Sequence, residues 1–307
     1  MTPTLTIIMA AYNAGTSPLT PLQCGEGNVE TFHETSPKGE RSKISAAIRS
    51  VLAQTYTDWE LIVVNDCSKD NTLEIADSFA KSDPRIRVMS NESNLGVSLT
   101  RKKALDAAKG EWIAVLDSDD IWDQYKLEKQ FALAEKENAD LVFTGSAFID
   151  NDGNHINWQL HVPGTISYRE LLKQNLISNS SVLVKKELYE QFYAVGDYMH
   201  EDFAMWLKIA KAGCRIIGLD EPLLIHRFSD GSRSRDKMKC AFRTWKTYRH
   251  VGLNLFEAAY FMCRYTVRGV RKYRNLRKNV ETPYHDISKG EGNVETPHAT
   301  SQMEINK

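Results

Sequence analysis

Several common features are missing from this chain of 307 residues. Its five cysteines, Cys24, Cys67, Cys214, Cys240 and Cys263, are odd in number and have no metal-ligand spacing. That excludes a disulfide scaffold and a zinc site, and predicts reduced thiols in a cytoplasmic protein. No apolar run reaches the length of a membrane span; the nearest, residues 251–262, is short and holds Glu257. The formal net charge of -1 does not suggest a nucleic-acid binder, although the average hides a strongly basic stretch from Arg227 to Lys278. The amino terminus enters a strand-like run without a basic segment or cleavage site, so no signal peptide is expected. A Gly-rich, basic phosphate loop is also missing after that run, where Ala10, Ala11, Tyr12 and Asn13 stand. Its absence argues against a nucleotidyltransferase.

What is present is an alternation of periods. Residues 5–10, 60–64, 85–89, 111–116 and 139–143 read as strands. Residues 44–52, 95–108 and 122–136 read as helices, and Asn71 with Glu74 reads as a capping box opening another. This order predicts an α/β fold, a doubly wound, mainly parallel sheet with ligands at the carboxyl ends of its strands. Past residue 150 the pattern loosens to a strand at 181–184 and a helix at 203–210, with Phe203, Trp206, Leu207 and Ala210 on its core face. Two polar segments, about 15–42 and 279–307, lack periodicity. The run Gly25-Glu26-Gly27-Asn28-Val29-Glu30-Thr31 in the first recurs at 290–296 in the second. Neither copy has an apolar face that could offset its ordering entropy, so both read as acquired low-complexity sequence. The expected organisation is a domain over 1–235 interrupted by the insert, a basic amphipathic helical extension over 236–278, and a tail.

The chemistry concentrates where the apolar run from Trp112 to Leu116 stops, at Asp117-Ser118-Asp119-Asp120. Carboxylates this close repel one another, and none is buried cheaply without a counter-ion. A hard divalent cation, Mg²⁺ or Mn²⁺, resolves the conflict. A surface turn that happens to be acidic is the plainer alternative for these residues taken alone.

With the first insert removed, Ala10-Ala11-Tyr12-Asn13 runs on to Ile44-Ser45-Ala46-Ala47-Ile48-Arg49-Ser50-Val51-Leu52. Then follow Val63-Val64-Asn65-Asp66, Asn94-Leu95-Gly96, Arg101, the acidic motif and Glu201-Asp202. Spaced so and in this order, these residues closely resemble the family 2 glycosyltransferases of the GT-A fold, over most of residues 4–235. The resemblance implies an inverting, metal-dependent hexosyltransferase. Its donor would be a nucleotide sugar, most readily UDP-linked, and its acceptor a glycan or lipid-linked glycan in cell-surface polysaccharide synthesis. It also implies site roles. Ala11, Tyr12, Asn13 and Asp66 would hold the nucleotide, with Asp66 accepting from a base N–H. Arg101 would reach the base or a phosphate, with a solvated helix charge as the alternative. Asp117 would meet the sugar nucleotide and share the Mn²⁺ or Mg²⁺ with Asp119, while Asp120 would stand behind them. Asp202 would be the catalytic base, with Glu201 as its rival; charge placed favourably at a helix start is the plainer reading of that pair. Arg227 would clamp the diphosphate, and His226 would pack on the acceptor, ligate metal or serve only the structure.

The chain departs from the family pattern in two places. Cys67 stands where a glycine is usual, which strains the turn if it needs positive φ. The insert lies beside the donor site, so a sugar-nucleotide or glycan-binding protein inactivated by it is the alternative function. In the extension, aromatic residues mix with Lys and Arg. That composition fits a helix on the inner face of the cytoplasmic membrane, or a helix packed on the domain with a solvated basic face.

Overall fold

The computed structural model describes residues 3–15, 42–151, 153–196, 198–227 and 237–280. Most of both low-complexity segments, with their repeats, lies outside them.

The sheet begins as the alternation predicts. β1 (Leu5–Ala11) pairs in parallel with β2 (Trp59–Asn65) and β4 (Trp112–Val115), and β2 pairs in parallel with β3 (Ile86–Ser90). Strand residues point to opposite faces in turn. Leu5, Ile7, Met9 and Ala11 therefore pack on Ile44, Ala47, Ile48 and Val51 of α1 (Lys43–Leu52). Ile8, Ile62 and Val64 face the other layer, with Ala104 and Leu105 of α3 (Val97–Asp106). β1 and β2 are buried on both sides, as strands of a doubly wound sheet must be.

Beyond β4 the sheet is mixed. Among the described residues it has nine strands, ordered β3-β2-β1-β4-β8-β6-β9-β5, with β7 (His155–Leu160) on β6. β8 (Leu183–Lys185) runs antiparallel to both β4 and β6 (Leu141–Ile149), and β9 (Ile216–Arg227) runs parallel to β6. β8 enters from the far side of the sheet. It thereby delivers the 3₁₀ turn Asn179–Ser181 to the carboxyl end of β4.

Several boundaries differ from the periodicity for physical reasons. Ile121 and Trp122 form a short strand, β5, paired with Ile225 and Leu224, so α4 starts later, at Lys126–Glu137. α2 (Thr72–Ser82) has no side-chain cap from Asn71; instead Asp70 Oδ1 accepts from Thr72 N at 3.1 Å. Gly110 does not end α3, which stops at Asp106. It is there because a Cβ would lie 2.4 Å from Thr6 N on β1.

α7 (Glu201–Lys211) buries Phe203, Ala204, Met205, Trp206, Leu207 and Ile209, so it runs through the core rather than over it. α8 (Lys237–His250) and α9 (Leu255–Val280) pack onto the same core through Tyr248, Val251, Leu253 and Ala258. Tyr248 Oη donates to Leu172 O at 2.6 Å.

The strain expected at Cys67 is present, with φ at 59°. Cys67→Gly should therefore stabilise the protein by about 0.5–1 kcal/mol, read as a higher urea midpoint at unchanged slope. The two flanks of the insert are tied directly, because Ile44 N donates to Ala14 O at 3.0 Å. Replacing residues 16–41 by a short Gly-Ser linker should preserve the fold. It should raise stability by about 1 kcal/mol through the smaller loop-closure entropy.

Candidate active site

The site is built at the carboxyl ends of β1, β2 and β4, against the first turn of α7. At the end of β1, Ala11 is buried and its carbonyl accepts from Asp66 N at 2.8 Å. Tyr12 is 47% exposed. Asn13 takes the left-handed conformation, φ 49°, which Asn tolerates. Its Oδ1 accepts from Lys69 N at 2.9 Å. These three residues lie together at the carboxyl end of β1.

Asp66 is only 3% exposed. Its Oδ1 accepts from Asn91 Nδ2 and Leu95 N, both at 2.8 Å, and its Oδ2 accepts from Gly96 N at 3.0 Å. Burial works to raise its pKa, but these donors outweigh it and hold the carboxyl below its ordinary range. Asp66 therefore anchors the Asn94-Leu95-Gly96 loop, a role that its place at a strand end did not reveal.

The acidic motif is held from two sides. Asp117 N donates to Ser180 Oγ at 3.1 Å, and Trp122 Nε1 donates to Ser180 O at 2.7 Å. Beneath them Lys126 is fully buried, with Nζ 4.0 Å from the Trp122 ring centre and donating to Gln130 Oε1 at 2.7 Å. Burial drives its pKa far down.

Arg101 is buried, not solvated. Nη2 donates to Asp117 Oδ1 at 2.5 Å and Nη1 donates to Glu201 Oε1 at 3.0 Å. Its guanidinium is thus engaged by two carboxylates.

Asp120 is 1% exposed, and its Oδ1 lies 2.9 Å from His226 Nδ1. That charge raises the His226 pKa to about 9 against the opposing effect of burial. The Asp120 carboxylate thus favours the charged form of the imidazole. Its ring also meets Phe148 edge-on, with centroids 5.7 Å apart.

Asp119 has its pKa pushed up to about 6 by burial and by the charges of Asp120 and Asp117, with His226 and Lys43 acting the other way. This crowding is the condition that a cation relieves. The buried Oδ2 of Asp120 has no hydrogen-bond partner. Among the described residues no three His, Cys, Asp or Glu side chains converge to hold a metal by themselves. The donor set therefore fits an ion taken by one or two carboxylates and shared with ligand oxygens, as Mg²⁺ commonly is.

Asp202 opens α7 beside Glu201, and its Oδ1 accepts from Phe203 N at 2.7 Å. Arg227 ends β9. Its backbone N donates to Asp120 Oδ1 at 3.3 Å, and Nη1 donates to the carbonyls of Asp150 and Asn151 at 3.3 and 3.4 Å.

The residue pattern did not identify Ser180, Asn91 or Lys43. Ser180 reaches the motif only through the antiparallel return of β8. Lys43 reaches it because α1 starts at the same edge of the sheet. Asn91 alone carried a usable signal, as a polar residue directly after β3.

The sequence signature of Glycosyl transferase family 2 matches residues 38–199. A putative teichuronic acid biosynthesis glycosyltransferase of Bacillus subtilis, TuaG, is 34% identical over 233 residues, covering 76% of this chain and 92% of its own. WfgD of Escherichia coli, a UDP-Glc:alpha-D-GlcNAc-diphosphoundecaprenol beta-1,3-glucosyltransferase, is 36% identical over 239 residues, covering 77% and 92%. Residues 1–349 of S. aureus TarS in complex with UDP-GlcNAc superpose with a TM-score of 0.62 at 17% identity, over 87% of this chain and 72% of that one. The mannosyltransferase PcManGT of Pyrobaculum calidifontis, in complex with GDP-Man and Mn²⁺, gives 0.58 at 15% identity, over 91% and 73%. The two structures share the fold, and the GT-A architecture expected from the motifs is borne out.

Removing the Asp66 carboxylate would leave Leu95 N, Gly96 N and Asn91 without their acceptor. Asp66→Ala should cost about 3 kcal/mol of stability in urea unfolding.

Proposed function

This chain belongs to glycosyl transferase family 2, and on that footing we propose a specific reaction and site. The protein is an inverting, metal-dependent hexosyltransferase. It moves a sugar from a UDP-linked donor to a glycan or lipid-linked glycan acceptor in surface polysaccharide assembly. The observation that carries this reading is the arrangement at the end of β4. Asp119 is crowded by Asp117 and Asp120, and Arg101 links Asp117 to the turn that bears Asp202. The donor follows from the UDP named in WfgD and bound to TarS, and the acceptor from the lipid-linked glycan in WfgD's name.

In the proposed reaction Ala11, Tyr12 and Asn13 hold the nucleotide, and Asp66 shapes the far wall of that pocket. Asp119, with Asp117, holds Mn²⁺ or Mg²⁺. The bound ion would stabilise negative charge on the departing diphosphate. Arg227 exchanges the carbonyls of Asp150 and Asn151 for phosphate oxygens, a stronger pairing for its fork. Asp202 takes the proton of the acceptor hydroxyl as that oxygen attacks the anomeric carbon from the face opposite the diphosphate. A single displacement of this kind inverts the carbon.

We place the reaction at the inner face of the cytoplasmic membrane. No described helix is long and apolar enough to cross a bilayer. Met238 and Phe256, however, are 84% and 89% exposed on α8 and α9, and α8 also carries Lys239, Arg243 and Lys246. Apolar tips with basic residues suit peripheral contact with anionic lipid.

Three measurements test these statements. UDP release should require Mn²⁺ or Mg²⁺ with at least one UDP-sugar, and Asp202→Asn should lower kcat about 10³-fold. Full activity of that variant would remove Asp202 as base. Mn²⁺ with UDP at about a hundred times Kd should stabilise the wild type by about 2–3 kcal/mol in thermal melts. It should do so much less in Asp119→Ala. Flotation with phosphatidylglycerol liposomes should fall in Met238→Ser/Phe256→Ser, and unchanged flotation would remove the membrane contact.

A further inference from the structure

The structure assigns Arg101 as a positioning residue. It fixes the first turn of α7 against the acidic end of β4, and by engaging Glu201 it leaves Asp202 as the carboxylate that takes the proton. This rests on the reading that Asp202 serves as base.

Arg101 is 4% exposed, and its fork joins three elements far apart in sequence. It projects from α3, Nη2 holds Asp117 after β4, and Nη1 holds Glu201 at the start of α7, 100 residues away. A guanidinium keeps its proton at any working pH, so its charge draws both carboxylates permanently. Burial opposes that charge, but Asp117 and Glu201 reverse the effect and stabilise the cation further. Nε is buried with no hydrogen-bond partner, so the attachment runs through the two terminal nitrogens.

Two consequences follow for α7. A carboxylate whose oxygen is committed to a buried cation is a poor proton acceptor, which disfavours Glu201. Consecutive residues lie about 100° apart around a helix, so pinning Glu201 also sets the direction in which Asp202 points. Asp202 itself receives Phe203 N on Oδ1. Arg101 therefore couples the carboxylate on the donor side to the orientation of the base without touching either substrate. A lysine, with a single ammonium, cannot span both partners as the fork does.

The test compares Arg101→Met, Arg101→Lys and Glu201→Gln with the wild type. The readouts are UDP binding with Mn²⁺ by calorimetry, UDP release with the working donor–acceptor pair, and amide hydrogen exchange of residues 199–206. In Arg101→Met, the UDP Kd should stay within about threefold of wild type while kcat falls about 100-fold, the size expected of a displaced catalytic group. Exchange in the first turn of α7 should rise in the same variant. Arg101→Lys should fall between it and the wild type. Glu201→Gln, which keeps an oxygen for Nη1, should retain kcat within about tenfold.

Loss of UDP affinity in step with turnover would make Arg101 a donor ligand and overturn the assignment. So would unchanged kcat and exchange in Arg101→Met, or a Glu201→Gln as inactive as Asp202→Asn. If Arg101→Met does not fold, the lysine and glutamine variants carry the same ordering. If the wild type turns over no donor, the proposed function fails, and exchange still reports whether Arg101 holds α7.

Discussion

Negative charge is crowded at one end of the sheet, and the fold keeps it there with cations placed among the carboxylates. Asp117, Asp119 and Asp120 follow β4 directly, and Glu201 and Asp202 arrive on α7. Like charges so close cannot all remain ionised in a poorly solvated site without compensation. Arg101 supplies it for Asp117 and Glu201, and His226 lies against Asp120. Asp119 is left with the most perturbed carboxyl of the group. The compensation is uneven, and Asp119 bears the residual repulsion of Asp117 and Asp120.

The surrounding architecture serves this end of β4. β8 runs against the direction of the parallel strands, so its leading turn meets the motif and Ser180 accepts from Asp117 N. Ser180 and Ser181 are in turn held by Trp122 Nε1 and Gln130 Nε2, and Gln130 receives the buried Lys126. Polar groups in this layer are bonded to one another under a low-dielectric cover, which makes the platform stiff as well as costly to disturb. α8 belongs to the same body. Thr247 Oγ1 accepts from His200 N at 3.1 Å, just ahead of Glu201, so the basic extension buttresses the α7 turn as well as presenting an outer surface.

The parallel half of the fold was legible because β1, β2 and β4 are continuous apolar runs and α1 has a clear 3.6-residue stripe. The acidic motif was legible because it stops such a run abruptly. What stayed hidden depended on partners distant in sequence. Trp122 reads as helical until Leu224, on β9, draws it into a strand. Asp66 sits where a base contact is natural, yet its acceptor capacity goes to residues 94–96 through a fold-back that no local pattern encodes. Arg101 reads equally as a solvated helix charge, and only its partner 100 residues away determines its burial. At Asn71 the competition was local. Asp70, one residue earlier, reaches Thr72 N and displaces the expected cap.

The hydrogen bond from Ile44 to Ala14 holds together the two ends of the chain that flank the insert. The closure sits two residues beyond Tyr12, at the carboxyl end of β1. It is therefore a natural port for cargo. A fluorophore or an affinity handle spliced there would be tethered beside that end of the sheet, and the protein would carry its own reporter.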